Sequence, residues 1–193
     1  METQLPLFSL SKKTAATTVK KEIKTTKTIS FFDKKTSNKN IISIYIDGAA
    51  RGNPGPSGVG IHIFSADKDL IKKGFFIGIK TNNQAEYLAL ALALLLIKDF
   101  ITKHSIDNAF FSFFSDSELL VKQMNNTYKI KNPVLKQLQT FISSLLREHN
   151  YSFTHVFREK NKIADKLANE GIDKQIFPSP TFRSLLSQHG LLI

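Results

Sequence analysis

The 193-residue sequence contains no cysteine, which excludes disulfides, thiolate metal sites and a cysteine nucleophile together. It also lacks an apolar run long enough to span a bilayer. The longest, Leu88 to Ile97, is ten residues against the roughly twenty a membrane helix needs, and it predicts a buried helix. No apolar core of a secretory signal stands at the N-terminus. The first residues are basic and rich in Ser and Thr, as in a transit peptide, but they use lysine rather than arginine and carry an acid at position 2. A cytoplasmic protein is the expectation. No Walker-type Lys-Ser/Thr follows Gly52 and Gly55, so these are read as turn-formers rather than a phosphate cradle.

Acids are the scarcer charge, 16 against 27 Lys and Arg, for a net charge of +11 and an isoelectric point near 9.8. That balance favours a polyanionic partner. Residues 1–40 hold nine lysines against Glu2, Glu22 and Asp33, a net +6 of the total. They show no sustained period and are read as a flexible arm, either a solubilising tail or a binding arm. Hydrophobic residues make up 41%, ordinary for a globular protein with one substantial core.

From Ile41 the pattern becomes globular. Ile41–Gly48 reads as a central strand, Gly58–Ser65 as a second and Leu70–Lys80 as a third, joined by turns into an antiparallel meander. Asn82–Thr102 predicts a long helix with Asn82 or Asn83 at its N-cap. Ala109–Ser115 suits a strand buried on both faces. Two helices follow, over Ser117–Met124 and Asn132–His149, the second with Pro133 in its first turn. Tyr151–Phe157 predicts the last strand and Lys160–Asp173 the last helix. The order is β-β-β-α-β-α-α-β-α, an α/β fold with a mixed sheet and helices on its faces. The divisions expected are a basic arm over 1–40, a catalytic domain over 41–175 and a tail over 176–193 that packs on the core or dangles.

Four carboxylates sit at the ends of these elements. Asp47 closes the first apolar strand and Asp116 the fourth. Glu86 lies near the head of the long helix and Asp165 in the opening turns of the last. If the two most apolar strands are neighbours, their terminal acids meet, and the helix openings add the other two. Buried or clustered carboxylates are costly unless paired. In a cysteine-free protein, a hard divalent cation such as Mg²⁺ is the natural partner, and a pair of such ions can clamp the oxygens of a phosphoryl transfer.

The neighbours of these acids carry a resemblance. Asp47-Gly48-Ala49-Ala50-Arg51-Gly52-Asn53-Pro54-Gly55-Pro56, Thr81-Asn82-Asn83-Gln84-Ala85-Glu86, Ser115-Asp116-Ser117 and Asn161-Lys162-Ile163-Ala164-Asp165-Lys166-Leu167-Ala168 together resemble type I ribonuclease H, over roughly residues 41–173. The resemblance implies a five-stranded mixed sheet, the three-stranded meander plus two parallel strands. It implies an endonuclease cutting the RNA strand of an RNA/DNA hybrid with two Mg²⁺ (or Mn²⁺) ions, leaving 5′-phosphate and 3′-hydroxyl ends, and a monomer. By motif position, Asp47 would bridge both ions, Glu86 and Asp116 would hold the one near the leaving group, and Asp165 the one that activates water. Asn53, Asn82 and Asn83 match positions that touch the hybrid's minor groove, where amides can pair with 2′-hydroxyls and base edges; turn and cap duty is their other reading. Thr81 is a candidate for a DNA-strand phosphate. Rival readings are a silent hybrid- or duplex-RNA-binding module and a fold relative acting on DNA.

Some positions depart from the family pattern. His155 matches, without gaps, a mobile histidine that many members carry on a loop before the last acid, yet its surroundings read as strand, and Glu159 is an alternative occupant of that role. Glu118 replaces a family glutamine, and its charge is unsuited to a phosphodiester contact. Between Met124 and Pro133 there is no long basic insertion of the kind some members use to grip hybrid; Tyr128, Lys129, Lys131 or the N-terminal arm could substitute. Gln4-Leu5-Pro6-Leu7-Phe8 resembles the peptide by which bacterial replication proteins dock on the sliding clamp, with Gln4, Leu5, Leu7 and Phe8 as its anchors. Ile29-Ser30-Phe31-Phe32 is either another docking motif or a segment packing on the domain.

Overall fold

A computed structural model describes residues 40–191. The basic arm, the Gln4–Phe8 peptide and the Ile29–Phe32 segment lie outside the described residues. In chain order the elements are β1 (Asn40–Ala50), β2 (Gly55–Ser65), β3 (Lys68–Lys80), α1 (Asn82–Lys103), β4 (Ala109–Ser115), α2 (Glu118–Met124), α3 (Pro133–Leu146), β5 (Asn150–His155), a 3₁₀ turn (Arg158–Lys160), α4 (Lys162–Lys174) and α5 (Pro180–Gln188). The sheet runs β3-β2-β1-β4-β5. β1, β2 and β3 are antiparallel neighbours, while β4 is parallel to both β1 and β5. This is the mixed five-stranded sheet expected from the sequence.

The two sheet faces are filled differently. On one, Ile42, Ile44 and Ile46 of β1 join Ile61 and Ile63 of β2 and Phe111 and Phe113 of β4, all essentially inaccessible. α1 packs over this face and is itself covered by α3. That double cover explains a helix apolar all round, with an unbroken buried run from Ala85 to Leu95. On the other face, α4 lies over β1, β2 and β3. It sits so close to the backbone that a Cβ at Gly60 would stand 1.8 Å from the Ala164 carbonyl oxygen.

Several boundaries differ from the sequence reading. β1 continues past Asp47 to Ala50, because its edge still pairs with β2 through Ala50–Ser57. β4 alternates between fully buried and half-buried residues, since α4 does not reach over it. Phe114 on that second face stacks on Tyr45 at 4.6 Å instead. The N-cap of α1 is Thr81, not Asn82 or Asn83: its hydroxyl accepts from the Gln84 N–H while the Gln84 side chain accepts from the Thr81 N–H, a reciprocal capping box. Residues 176–191 pack on the core. Ile176 accepts from the Phe76 N–H at 2.7 Å, Leu186 and Leu191 are buried, and Gln137 donates to the His189 carbonyl at 2.6 Å.

Candidate active site

Strand register brings the first two acids together. Tyr45 of β1 pairs with Phe114 of β4. Asp47 and Asp116, each two residues further along parallel strands, are therefore the next positions on the same face. Gly48 then lets α1 approach: a Cβ there would lie 2.2 Å from the Glu86 N. This contact delivers Glu86 to the same strand ends. Ligand atoms of Asp47, Glu86 and Asp116 lie within 4.8 Å of one another.

Asp165, on the first turn of α4, lines the same cavity of about 410 Å³ but stands outside that tight cluster. Its Oδ1 accepts from the Arg158 guanidinium at 3.0 Å. The structure thus places all four acids on one cavity, three of them in mutual contact range and the fourth held by an arginine.

The electrostatics are those of a site where acids outweigh the one arginine that lines it. Burial, then Asp116 and Asp165, push the Asp47 carboxyl up to about 7, with Arg158 acting in the opposite direction. Burial, then Asp47 and Asp116, hold Glu86 well above the usual carboxylate range. Glu86 Oε2 is buried with no hydrogen-bond partner among the described residues. An orphaned buried carboxylate oxygen beside two more acids is the donor set of a hard divalent cation, and the residues present fit one.

Asn161 carries a role that residue-by-residue reading missed. It is buried at the N-cap of α4, and its Nδ2 donates to the Ile46 carbonyl at 2.9 Å and to Asp116 Oδ1 at 2.7 Å. It orients Asp116 as it joins α4 to β1. Arg158 was also missed. Its signal was an arginine seven residues before an acid, which has no meaning until the 3₁₀ turn folds back on α4.

The asparagines gather at the cavity mouth. Asn82 lines the cavity, and Asn53 Oδ1 accepts from the Asn82 N–H at 3.0 Å. This bond ties the β1–β2 loop to the head of α1. Asn53 thus has a structural bond while its NH₂ remains available, and Asn83 is exposed beside them. Thr81 uses its hydroxyl oxygen as the helix cap. His155 is the last residue of β5 rather than mid-strand; its Nε2 lies 3.3 Å from the Asp116 carbonyl oxygen. Glu159 is exposed in the 3₁₀ turn. Glu118 pairs with Lys122 at 2.5 Å.

Comparison with known proteins agrees with this fold. A family model described as reverse transcriptase-like matches residues 45–171. The chain is 40% identical over 134 residues to "Ribonuclease HI" of Halobacterium salinarum, covering 68% of this chain and 64% of that relative. It is 33% identical to "Ribonuclease H" of Clostridium botulinum, covering 69% of this chain and 96% of the relative. The chain therefore spans under two thirds of the first relative's length, and 35% of mycobacterial relatives. Among solved structures, LC11-RNase H1 in complex with RNA/DNA hybrid superposes with a TM-score of 0.65 at 43% identity, covering 69% of this chain and 97% of that one.

Proposed function

The chain belongs to the type I ribonuclease H-like family, and on that premise we propose that it is a metal-dependent endoribonuclease cutting the RNA strand of RNA/DNA hybrids. The observation that carries the proposal is the cluster of Asp47, Glu86 and Asp116, with ligand atoms within 4.8 Å and a buried, unpartnered Glu86 oxygen. Asp165 completes the set across the cavity. Divalent ions held by these four residues, Mg²⁺ or Mn²⁺, would clamp the attacking and leaving oxygens of a phosphodiester.

The chain's own residues then have separable tasks. Asp47 and Asp116 hold fixed oxygens at the ends of paired strands, and Asn161 keeps Asp116 from rotating. Hydrolysis to a 5′-phosphate and a 3′-hydroxyl breaks the bond between phosphorus and the 3′ oxygen; water supplies hydroxide to phosphorus and a proton to that oxygen. Asn53 and Asn82, tied together by the Asn82 N–H, and the neighbouring exposed Asn83 would offer amides to a ribose 2′-hydroxyl, which is what distinguishes RNA from DNA there. The solved relative bound to RNA/DNA hybrid supports this choice of substrate. His155, whose Nε2 lies 3.3 Å from the Asp116 carbonyl oxygen, would assist proton transfer or product release, with Glu159 the alternative occupant of that role. For the N-terminal peptide Gln4–Phe8, docking on a sliding clamp is the accompanying proposal.

The test is cleavage of labelled RNA/DNA hybrid, RNA duplex and DNA duplex with Mg²⁺, Mn²⁺ or EDTA. The expected result is metal-dependent RNA cleavage in the hybrid alone, with a 5′-phosphate on the new end. Preference for DNA duplex would move the chain to a DNA-acting branch of the fold. Binding without cleavage at any divalent ion would make it a silent binding module.

A further inference from the structure

On the sheet face that α4 covers, residues form rows across the strands. Gly74, Gly60 and Asp47 make one such row, and α4 lies directly on its glycines: a Cβ at Gly74 would stand 2.0 Å from the Leu167 carbonyl oxygen. The next row on the same face, two residues along each strand, is Lys72, His62, Tyr45 and Phe114. This row lies past the start of α4 at Lys162, so large side chains take the place of glycine. Tyr45 stacks on Phe64 at 5.8 Å as well as on Phe114, and the His62 ring lies 5.0 Å from Phe64. His62 is buried, with its Nε2 2.5 Å from Asp69 Oδ1. Hydrogen bonds from Lys72 and His62 hold the Asp69 carboxyl below the usual carboxylate range. A carboxylate only accepts, so Nε2 carries the hydrogen and Nδ1 is left as an acceptor.

A cavity of about 240 Å³ opens here, between the rings of Tyr45, His62 and Phe64 and the residues Lys160, Asn161, Ile163 and Ala164 that lead into α4. No acid lines it. Lys160 and Ile163 are its exposed members. Asn161 lines this slot and not the acidic cavity. Its Nδ2 is committed to the Ile46 carbonyl and to Asp116, while its Oδ1 is buried with no partner among the described residues. A buried acceptor of this kind calls for a donor. The slot thus combines aromatic walls, acceptors on Asn161 and His62, and one cation. Its volume lies below the about 300–1,000 Å³ of sites for drug-sized ligands, which suits a single planar ring.

We infer that this slot binds a free 5′-mononucleotide. An amino-bearing base lies between the rings and the start of α4, with its N–H groups on Asn161 Oδ1 and His62, and its phosphate meets Lys160. The same amide holds Asp116 from its other side, so one residue couples the bound nucleotide to the acidic site. Binding does not rest on the proposed cleavage, and it is read where no cleavage occurs.

The experiment is calorimetric titration of the full-length protein with AMP in EDTA, where no metal ion can draw the phosphate into the acidic cavity. AMP should bind, adenosine should bind about tenfold more weakly for want of one charge-assisted contact, and ribose 5-phosphate should not bind. Lys160→Ala should weaken AMP about tenfold and leave adenosine unchanged. Ile163→Trp, which fills the slot from an exposed position, should abolish both. Lys103→Ala, a cation on the last turn of α1, is the control that should bind AMP as the wild type does. The Asn161 side-chain amide resonances should move as AMP is added. No AMP binding up to about 10 mM, or equal affinities in wild type, Lys160→Ala and Ile163→Trp, would overturn the slot while leaving the cleavage reading intact. A short single-stranded RNA held more tightly than AMP would overturn the free nucleotide in favour of a strand end. An enzyme that never cuts hybrid, yet binds AMP through Lys160, would sink the cleavage reading alone.

Discussion

Asn161 Nδ2 lies 2.7 Å from Asp116 Oδ1 and 2.9 Å from the Ile46 carbonyl oxygen, so one buried amide aligns a site carboxylate and joins α4 to the central strand. The residue sits between the two functions that a site needs, rigidity and charge placement. Its Oδ1 is itself buried and unpartnered among the described residues, leaving the NH₂ group to make the bonds observed.

Asn161→Ala removes a hydrogen bond to the Asp116 carboxyl and one to the Ile46 carbonyl. A loss of about 2 kcal/mol is expected, with a fall in melting temperature of several degrees. Hybrid cleavage should drop at least about tenfold, because Asp116 is no longer held. Asn161→Asp should be worse in cleavage, since it adds an acid to an acidic cavity. A melting curve and a turnover assay on the same preparations check this; wild-type turnover in the alanine variant would contradict it.

The metal-free protein should lose stability as pH rises from about 4 to about 7. Asp47 is held up to about 7 in the folded chain, whereas the unfolded chain ionises it near 3.8. Between those values the folded state binds more protons than the unfolded state, and Glu86, likewise held up, adds to the difference, so stability falls as pH rises. The effect is on the order of a few kcal/mol. Melting in EDTA at pH 4–8 should show the decline, Asp47→Asn should make it shallower, with Glu86 carrying the remainder, and Mg²⁺ at pH 8 should restore stability to the wild type. A slope equal in wild type and Asp47→Asn would refute the assignment.

Gly60→Ala should detach α4 from the sheet. The added Cβ would lie 1.8 Å from the Ala164 carbonyl oxygen and 2.6 Å from the Ala168 N, both backbone, so the helix itself must move. A loss of more than about 3 kcal/mol is expected, at the large end for a point change, and Asp165 moves with the helix. Gly78→Ala meets no atom within 4 Å, though its φ of 74° adds backbone strain, so its cost should be about 1 kcal/mol. Urea unfolding of both variants separates the two mechanisms.

Deleting residues 1–10 removes the Gln4–Phe8 peptide without touching residues 40–191. Pull-down of a bacterial sliding clamp should disappear while hybrid cleavage is retained. Clamp capture equal to that of the full chain would eliminate the docking reading.

Local pattern carried much of this structure. The β-branched run before Asp47, the apolar Ala109–Ser115 run and the asparagine block before Glu86 each announce an element and its terminal acid, and the two apolar strands are neighbours in the sheet, as expected. What local pattern missed depends on distant partners. Asn161 meets Ile46 from 115 positions away and Asp116 from 45. Nothing in its own segment separates it from any other helix cap. The tail helix has meaning only through distant partners as well: His189 at its end meets Gln137 and Phe141 of α3.

The sequence by itself determined the chemistry available: no thiolate, four carboxylates at element ends, amides beside one of them and an excess of positive charge. Periodicity and terminal acids are local properties, and they survive translation from chain to element. Tertiary structure alone decided which of those acids are close enough to share an ion. Three are in mutual range, while Asp165 is paired with Arg158 across the same cavity. It also decided which polar groups are buried and therefore rigid. Distance and desolvation govern both the pKa of Asp47 and the hold of Asn161, and neither exists until the strands are in register and α4 has closed over its glycines.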